Sequence, residues 1–140
     1  MNDLPDSVFR QIFEGAGDAV ILAGGDGIIR FWNRGATAIF GHEASEAIGQ
    51  TLDLIIPEKQ RQRHWEGYDR VLAAGETKYG TSLLSVPATR KDGTRISVEF
   101  TIAVVRDSDG AIVGLAAIMR DVTARWEEMR ALRAKAAGGG

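Results

Sequence analysis

The chain has 140 residues, of which 44% are hydrophobic and 26% are charged, and its formal net charge is -2. This length suits one domain with a short extension, and the apolar fraction is enough to fill one hydrophobic core. Since there is no excess of basic residues, nucleic acid is not expected as a direct partner. The absence of cysteine excludes disulfides, thiolate metal sites and a thiol adduct to a flavin.

The sequence contains no stretch that is long and apolar enough to cross a bilayer. Its first residues, Met1 to Pro5, lack the basic start and the apolar core of a signal peptide. We therefore expect a cytoplasmic protein that has no membrane partner.

The first half of the chain predicts a short helix, a hairpin and further short helices. Apolar residues recur at helical spacing within residues 8–13, before Gly15. Two apolar runs, 19–23 and 28–32, flank a glycine-rich turn, which is typical of a β-hairpin. Asn33 is the predicted cap of a following helix that ends at Gly41.

The second half predicts one long helix and then three strands. The helix runs from Pro57 to about Ala74, because proline favours the first turn of a helix and Gly75 can end it. Strands are predicted over residues 79–87, 96–106 and 112–119. A turn that contains aspartate and glycine separates each strand from the next. Alternation in the middle strand places Val98, Phe100, Ile102 and Val104 on one face.

The order of these motifs resembles that of the PAS sensory domain over roughly residues 7–125. The matching segments are Asp26–Asn33, Arg90–Thr94 and Asp121-Val122-Thr123. The resemblance implies an α+β PAS fold, with a five-stranded antiparallel sheet of order 2-1-5-4-3 and short helices on one face. The implied limits are an N-terminal amphipathic cap over 1–14, a PAS domain over 15–123, a C-terminal signalling helix over 124–137 and a flexible tail over 138–140.

The long helix is also similar to a helix of haem-binding oxygen-sensor PAS domains of the FixL type. The match comprises Pro57-Glu58, two arginines, His64, and then Tyr68 and Arg70. In that family the histidine ligates the haem iron. The resemblance therefore implies haem b as the cofactor and His64 as its metal ligand, with Arg70 and Lys78 beside the haem propionates.

The same register places Leu84 where oxygen-binding relatives carry an arginine on the distal side of the haem. A leucine donates no hydrogen bond to bound oxygen, so carbon monoxide or nitric oxide would be favoured relative to oxygen. The expected pocket walls are apolar, and a ligand should be mostly apolar too. The wall residues expected from the strands are Leu83, Leu84, Val98, Phe100, Ile102, Leu115 and Ala117.

Two interpretations of His64 remain open. The imidazole faces a haem pocket, or it belongs to a solvated helix face in a domain that binds no cofactor. Trp65 lies about 100° away from His64 around the helix, so only one of the two can face the pocket centre. Without a cofactor, the chain would be a protein-interaction module whose homodimer forms through the sheet and the terminal helices.

No pair of carboxylates, phosphate-binding loop or activated nucleophile has the spacing of a catalytic site, so no enzyme is expected. The expected partners are a second copy of the chain and an effector domain or partner kinase or regulator, as in two-component systems. The output would pass through the exit after the last strand. There Asp121 is expected to pair with a basic residue, and Thr123 to cap the helix that begins at Ala124.

Overall fold

The computed structural model of the protein describes residues 3–77 and 83–138. They contain a five-stranded antiparallel sheet of order β2-β1-β5-β4-β3, which confirms the predicted fold class and strand order. The strands are β1 (Ala19–Gly24), β2 (Ile29–Trp32), β3 (Leu84–Thr89), β4 (Arg95–Arg106) and β5 (Ile112–Asp121). The helices are α1 (Asp6–Gly15), α2 (Arg34–Phe40), α3 (Ala44–Ala47), α4 (Glu58–Ala74) and α5 (Thr123–Gly138).

The helices α2 and α4 end at the glycines that the sequence analysis predicted. Gly41 and Gly75 end α2 and α4 in the left-handed conformation that glycine adopts most easily. The first part of the predicted strand 79–87 lies outside the described residues, and its described part runs from Leu84. Pro87 is tolerated within β3 because this strand is at the edge of the sheet. A 3-10 turn, Leu52–Leu54, was not predicted.

The core lies between one face of the sheet, here called the inner face, and helices α2, α3 and α4. Cross-strand pairing brings Ile21 of β1 opposite Ala117 of β5, which in turn pairs with Ile102 of β4. Since side chains alternate along a strand, this register carries every second residue of these strands into the core. The largest fully buried side chains are Trp32, Phe40, Ile21, Ile29, Val98 and Asn33.

The structure confirms Asn33 as the predicted cap of α2. It also gives Asn33 a second role that the sequence did not indicate. Its Oδ1 accepts hydrogen bonds from the backbone N–H groups of Ala36 and Val20, at 2.9 and 2.8 Å. Its Nδ2 donates to the carbonyls of Phe13 and Asp18, at 2.7 and 3.0 Å. The buried amide thus joins the end of α1 to the start of β1 and α2.

The exit from β5 into α5 differs from the prediction. Asp121 accepts hydrogen bonds from both the N–H and the hydroxyl of Thr123, at 2.9 and 2.6 Å, and so fixes the turn that leads into α5. The Thr123 hydroxyl oxygen accepts from the Ser97 N–H at 2.9 Å, which ties the exit to β4. Arg120, one residue earlier, makes an ion pair at this end of the sheet, with both carboxylate oxygens of Asp18 at 3.1 Å.

Among the residues described, no helix is long and apolar enough to qualify as a membrane span.

Candidate functional site

A cavity of about 90 Å³ lies between the inner face of the sheet and α4. Most of its lining is apolar and comes from β1, β3, β4, β5 and the segment that leads into α4. Six of the lining side chains are Ile21, Leu52, Ile55, Val98, Phe100 and Met119. Pockets for drug-sized ligands measure roughly 300–1,000 Å³, so in this conformation the cavity admits only a small molecule.

Five of the residues predicted as pocket walls line this cavity. They are Val98, Phe100, Ile102, Leu115 and Ala117. The strand register explains the grouping, because Ile102 lies opposite Ala117, and Phe100 lies opposite Met119, another lining residue. The cofactor contacts expected of these five residues stay a prediction.

The edge strand β3 contributes differently from what was expected. Leu84 lies opposite Phe100 and is half-buried, but it is not part of the cavity lining, to which Val86 contributes instead. The distal role expected of Leu84 stays a prediction. Leu83 is 64% exposed, so its assignment as a wall residue is wrong. It lies one residue out of phase with the inner face, and neighbouring residues of an extended chain point to opposite sides.

His64 is the one histidine among the residues that line the cavity. Its ring is half-buried on α4, and its Nδ1 atom is buried without a hydrogen-bond partner. Burial lowers the pKa of His64 below its usual value, and the nearby carboxylate of Asp53 opposes this shift only in part. The side chain is therefore neutral at pH 7, which is the form that binds metal ions or accepts a hydrogen bond.

Tyr68, one helical turn after His64, is the second polar side chain of the lining. Its hydroxyl donates to the carbonyl oxygens of Ala23 and Gly24, at 3.1 and 2.6 Å. Burial raises the pKa of Tyr68 to about 12. Sequence reasoning used Tyr68 only as part of a motif, although its i, i+4 spacing from His64 already placed both residues on one helix face.

Trp65 turns away from the cavity, as expected if His64 faces it. The indole Nε1 donates to Oδ1 of Asp53 at 2.8 Å, and Trp65 does not line the cavity. The rings of His64 and Trp65 meet edge to face, with centroids 4.6 Å apart. The prediction that only one of these two residues faces the pocket is confirmed.

The two basic residues expected at the haem propionates are not part of the cavity lining. Arg70 is exposed on α4, about 120° around the helix from His64, and Lys78 lies outside the described residues. Their contacts with a cofactor stay a prediction. No group of three or more histidine, aspartate or glutamate side chains that could hold a metal ion occurs in residues 3–77 and 83–138.

The site fits haem in its chemistry but not in its present volume. The buried Nδ1 of His64 shows an imidazole without a protein partner, and the apolar walls suit a porphyrin plane. A cavity of about 90 Å³ is too small for a porphyrin, so α4 would have to move away from the sheet.

Comparison with known proteins agrees with this architecture. The family model described as PAS fold matches residues 8–122. The sensor protein FixL of Bradyrhizobium diazoefficiens is 29% identical over 114 residues, which cover 81% of this chain and 22% of that protein. The oxygen sensor protein DosP of Escherichia coli is 25% identical over 118 residues, which cover 84% of this chain and 14% of that protein.

A solved PAS domain from Colwellia psychrerythraea has the same fold. Its TM-score to this chain is 0.73 at 20% sequence identity, with 84% of this chain and 96% of that chain covered. The chain spans less than a quarter of the length of the two sensor proteins, 22% of FixL and 14% of DosP. The family match, the strand order and the similarity to both sensors agree, and the chain belongs to the PAS fold family.

Proposed function

We propose that the chain is the sensor module of a cytoplasmic signalling protein, and that haem b bound between α4 and the sheet is its ligand. The observation that carries this proposal is His64, which lines the cavity and has a buried Nδ1 atom without a hydrogen-bond partner. A buried polar atom without a hydrogen bond is unfavourable by about 1–3 kcal/mol, and a ligand at the imidazole would relieve this. Similarity to an oxygen sensor protein supports a diatomic gas as the signal.

In this proposal, each residue of the site has a defined task. When bound, haem supplies an iron atom that can take up a diatomic gas. His64 would hold the iron as a neutral imidazole, and the apolar side chains of β4 and β5 would keep water out. Arg70 and Lys78 would balance the charges of the haem propionates. Leu84 offers no hydrogen bond to a bound gas, which disfavours oxygen relative to carbon monoxide or nitric oxide.

Haem entry requires α4 to separate from the sheet, and the contacts of α4 set the resistance to this movement. The hydroxyl of Tyr68 holds the middle of α4 to the carbonyls at the end of β1. The Nη2 atom of Arg106 donates to the carbonyl of Gly75 at 2.6 Å and so holds its C-terminal end. Both are hydrogen bonds to backbone carbonyls, and water can replace them when α4 moves.

The signal would leave through β4 and β5, which form the wall of the cavity. Val98 lines the cavity, and its neighbour Ser97 donates to the hydroxyl oxygen of Thr123, the first residue of α5. An ion pair of 2.7 Å between Arg125 and Glu99 continues this contact along α5. A shift of these strands therefore reaches the helix that would lead to an effector domain or a partner kinase or regulator.

Reconstitution with hemin tests the haem proposal. The wild-type protein is expected to give a Soret band, and His64→Ala is expected to lose most of the affinity and to change the spectrum of any residual complex. His42→Ala is the matched control, because the chain has 2 histidines and His42 does not line the cavity. A spectrum and an affinity that His64→Ala leaves unchanged would contradict the role of His64.

The small volume of the cavity favours a second candidate function, a protein-interaction module whose pocket is packed shut. Exposed apolar side chains on the terminal helices also support an interaction module. Ile12 and Leu132, for example, are 58% and 61% exposed. Its function would be homodimer formation without any cofactor. A wild-type protein that gives no Soret band with hemin, yet sediments as a dimer, would favour it over the haem sensor.

A further inference from the structure

A groove lies between α5 and the outer face of the sheet, which is the face opposite to the cavity. Its floor consists of Ser85 of β3 and Glu99 of β4, which pair with each other across the two strands. Glu99 stands between Val98 and Phe100, two residues of the cavity lining, so its side chain points to the other face of the sheet. The groove is therefore separate from the cavity.

Helix α5 supplies the walls of this groove. Trp126, Met129 and Arg133 follow one another at spacings of three and four residues, which places them on one face of the helix. Trp126 and Met129 are 41% and 44% exposed, and both an indole and a thioether pack well against an aromatic ring. The volume of the groove is about 390 Å³, within the roughly 300–1,000 Å³ that is typical of small-molecule sites.

The charges of the groove leave one cation unpaired. Arg125 and Glu99 form an ion pair of 2.7 Å, so their charges cancel. Arg133 is exposed, and it makes no hydrogen bond or ion pair with any residue of 3–77 or 83–138. The other lining residues are uncharged, so an anionic ligand would find its counter-charge at Arg133.

We propose that this groove binds a small aromatic carboxylate, whose ring packs on Trp126 and Met129 and whose carboxylate pairs with Arg133. The bound molecule touches both α5 and the sheet, so it holds the exit helix against β3 and β4. The site lies on the outer face, so it goes beyond the haem proposal and does not depend on it.

Both parts of the ligand are needed. A carboxylate without a ring would make a single ion pair at an exposed arginine, and such surface pairs contribute little. A neutral ring would cover Trp126 and Met129 but would leave Arg133 unpaired. The two features together define a flat apolar body with one negative charge.

The compounds 2-naphthoate and 2-naphthamide form a matched pair of probes, because they share the fused ring and the number of heavy atoms and differ in charge. Each is titrated into the isotope-labelled protein while amide NMR signals are recorded. Naphthoate is expected to shift the signals of Ser85, Glu99 and Met129 in a saturable way, with a Kd of about 1 mM for a ligand of this size. Naphthamide should bind about two- to fivefold more weakly, since it forms no ion pair. Amide hydrogen exchange in α5 should slow when naphthoate is bound.

Arg133→Gln is the decisive variant, and Lys135→Gln is its control. Arg133→Gln should remove the preference for naphthoate. Lys135→Gln should keep this preference, because Lys135 lies about 200° around the helix from Arg133 and does not line the groove. Trp126→Ala should weaken the binding of both probes. All three positions are exposed, so these variants should fold.

Three results would overturn the proposal. They are equal affinities of the two probes for the wild type, a preference that Arg133→Gln leaves unchanged, and shifts confined to cavity residues such as Ile21 and Ile102. A protein that sediments as a dimer and binds neither probe would assign the groove to a second copy of the chain instead. A failure to bind hemin would not affect the proposal.

Discussion

The indole ring of Trp65 occupies the space that a side chain on Gly27 would need. A Cβ atom added to Gly27 would collide with the six-membered part of the indole. Gly27 also has a φ of 76°, in the left-handed region that residues with a Cβ rarely adopt. The β1–β2 turn and α4 are therefore fitted together through the missing side chain of a glycine.

Gly27→Ala is expected to lower the free energy of unfolding by about 2–4 kcal/mol, because strain at positive φ adds to the collision with Trp65. Gly110→Ala is the matched control. Gly110 has a φ of 84°, but nothing lies within 4 Å of an added Cβ, so strain alone applies and the loss should be about 1–2 kcal/mol. Urea denaturation measures both. Equal losses would mean that Trp65 yields to the new methyl group at no cost.

Tyr68→Phe tests the hold of α4 on the sheet. The substitution keeps the ring and removes the donor to the carbonyls of Ala23 and Gly24. Those carbonyls would remain buried without this partner, so we expect a loss of about 1–3 kcal/mol in the free energy of unfolding. Amide hydrogen exchange in α4 should also become faster. A variant with wild-type stability and wild-type exchange would show that α4 is held by other contacts.

Asn33 allows its two roles to be separated by two substitutions. Asn33→Ala removes the cap of α2 and the donor to α1, with an expected loss of about 2–4 kcal/mol. Asn33→Asp keeps an acceptor for the N–H groups of Val20 and Ala36 but turns a carboxylate oxygen toward the carbonyls of Phe13 and Asp18. Hydrogen exchange should then show α1 deprotected while α2 stays protected. Protection of α1 in Asn33→Asp would contradict the joining role.

Most of the fold could be predicted because helix ends and strand faces follow from sequence patterns a few residues long. Glycines after Phe40 and Ala74 end the two helices, and alternation along β4 assigns Val98, Phe100 and Ile102 to one face. Such patterns depend on residues a few positions apart. The hydrogen bond from Tyr68 to Ala23 joins residues 45 positions apart, and no local pattern encodes it.

The candidate site was predicted less completely than the fold, for physical reasons. The volume of the cavity depends on how far α4 stands from the sheet, and this distance results from long-range packing. Leu83 was misjudged because it and its neighbour Leu84 were both assigned to the pocket wall, although successive residues of an extended chain point to opposite sides. The lack of a partner at Nδ1 of His64 depends on every side chain around it, so the sequence indicated the residue but not the atom.

Because Glu46 and Lys91 form an ion pair, we expect the free energy of unfolding to change with pH in the acid range. The Lys91 ammonium, 2.6 Å from the carboxylate, is the main cause that lowers the pKa of Glu46 below its value of 4.5 in the unfolded chain. The pair therefore stabilises the fold above about pH 4.5, and this contribution is lost as the pH falls through the lower folded pKa. Lys91→Met should flatten the stability profile in this range. Lys59→Met, at an exposed position on α4, should not.

Dimerisation through the terminal helices is the last expectation. Helix α5 exposes Met129 and Leu132 at 44% and 61%, and α1 exposes Ile12 and Phe13 at 58% and 45%. Apolar side chains that are exposed together commonly mark an interface, and closed symmetric dimers are the most frequent assembly. The double substitution Met129→Ser and Leu132→Ser should therefore shift the sedimentation profile toward monomer.

The matched control for that test is Ala131→Ser with Ala134→Ser, which adds the same hydroxyl groups to exposed positions of the same helix. It should leave the profile unchanged, because small side chains contribute little apolar area to an interface. Deletion of residues 124–140 should reproduce the effect of the Met129 and Leu132 substitutions, since it removes the whole apolar surface of α5. A truncated protein that stays fully dimeric would contradict the role of α5 and move the interface to the outer face of the sheet, where Ile118 is 47% exposed.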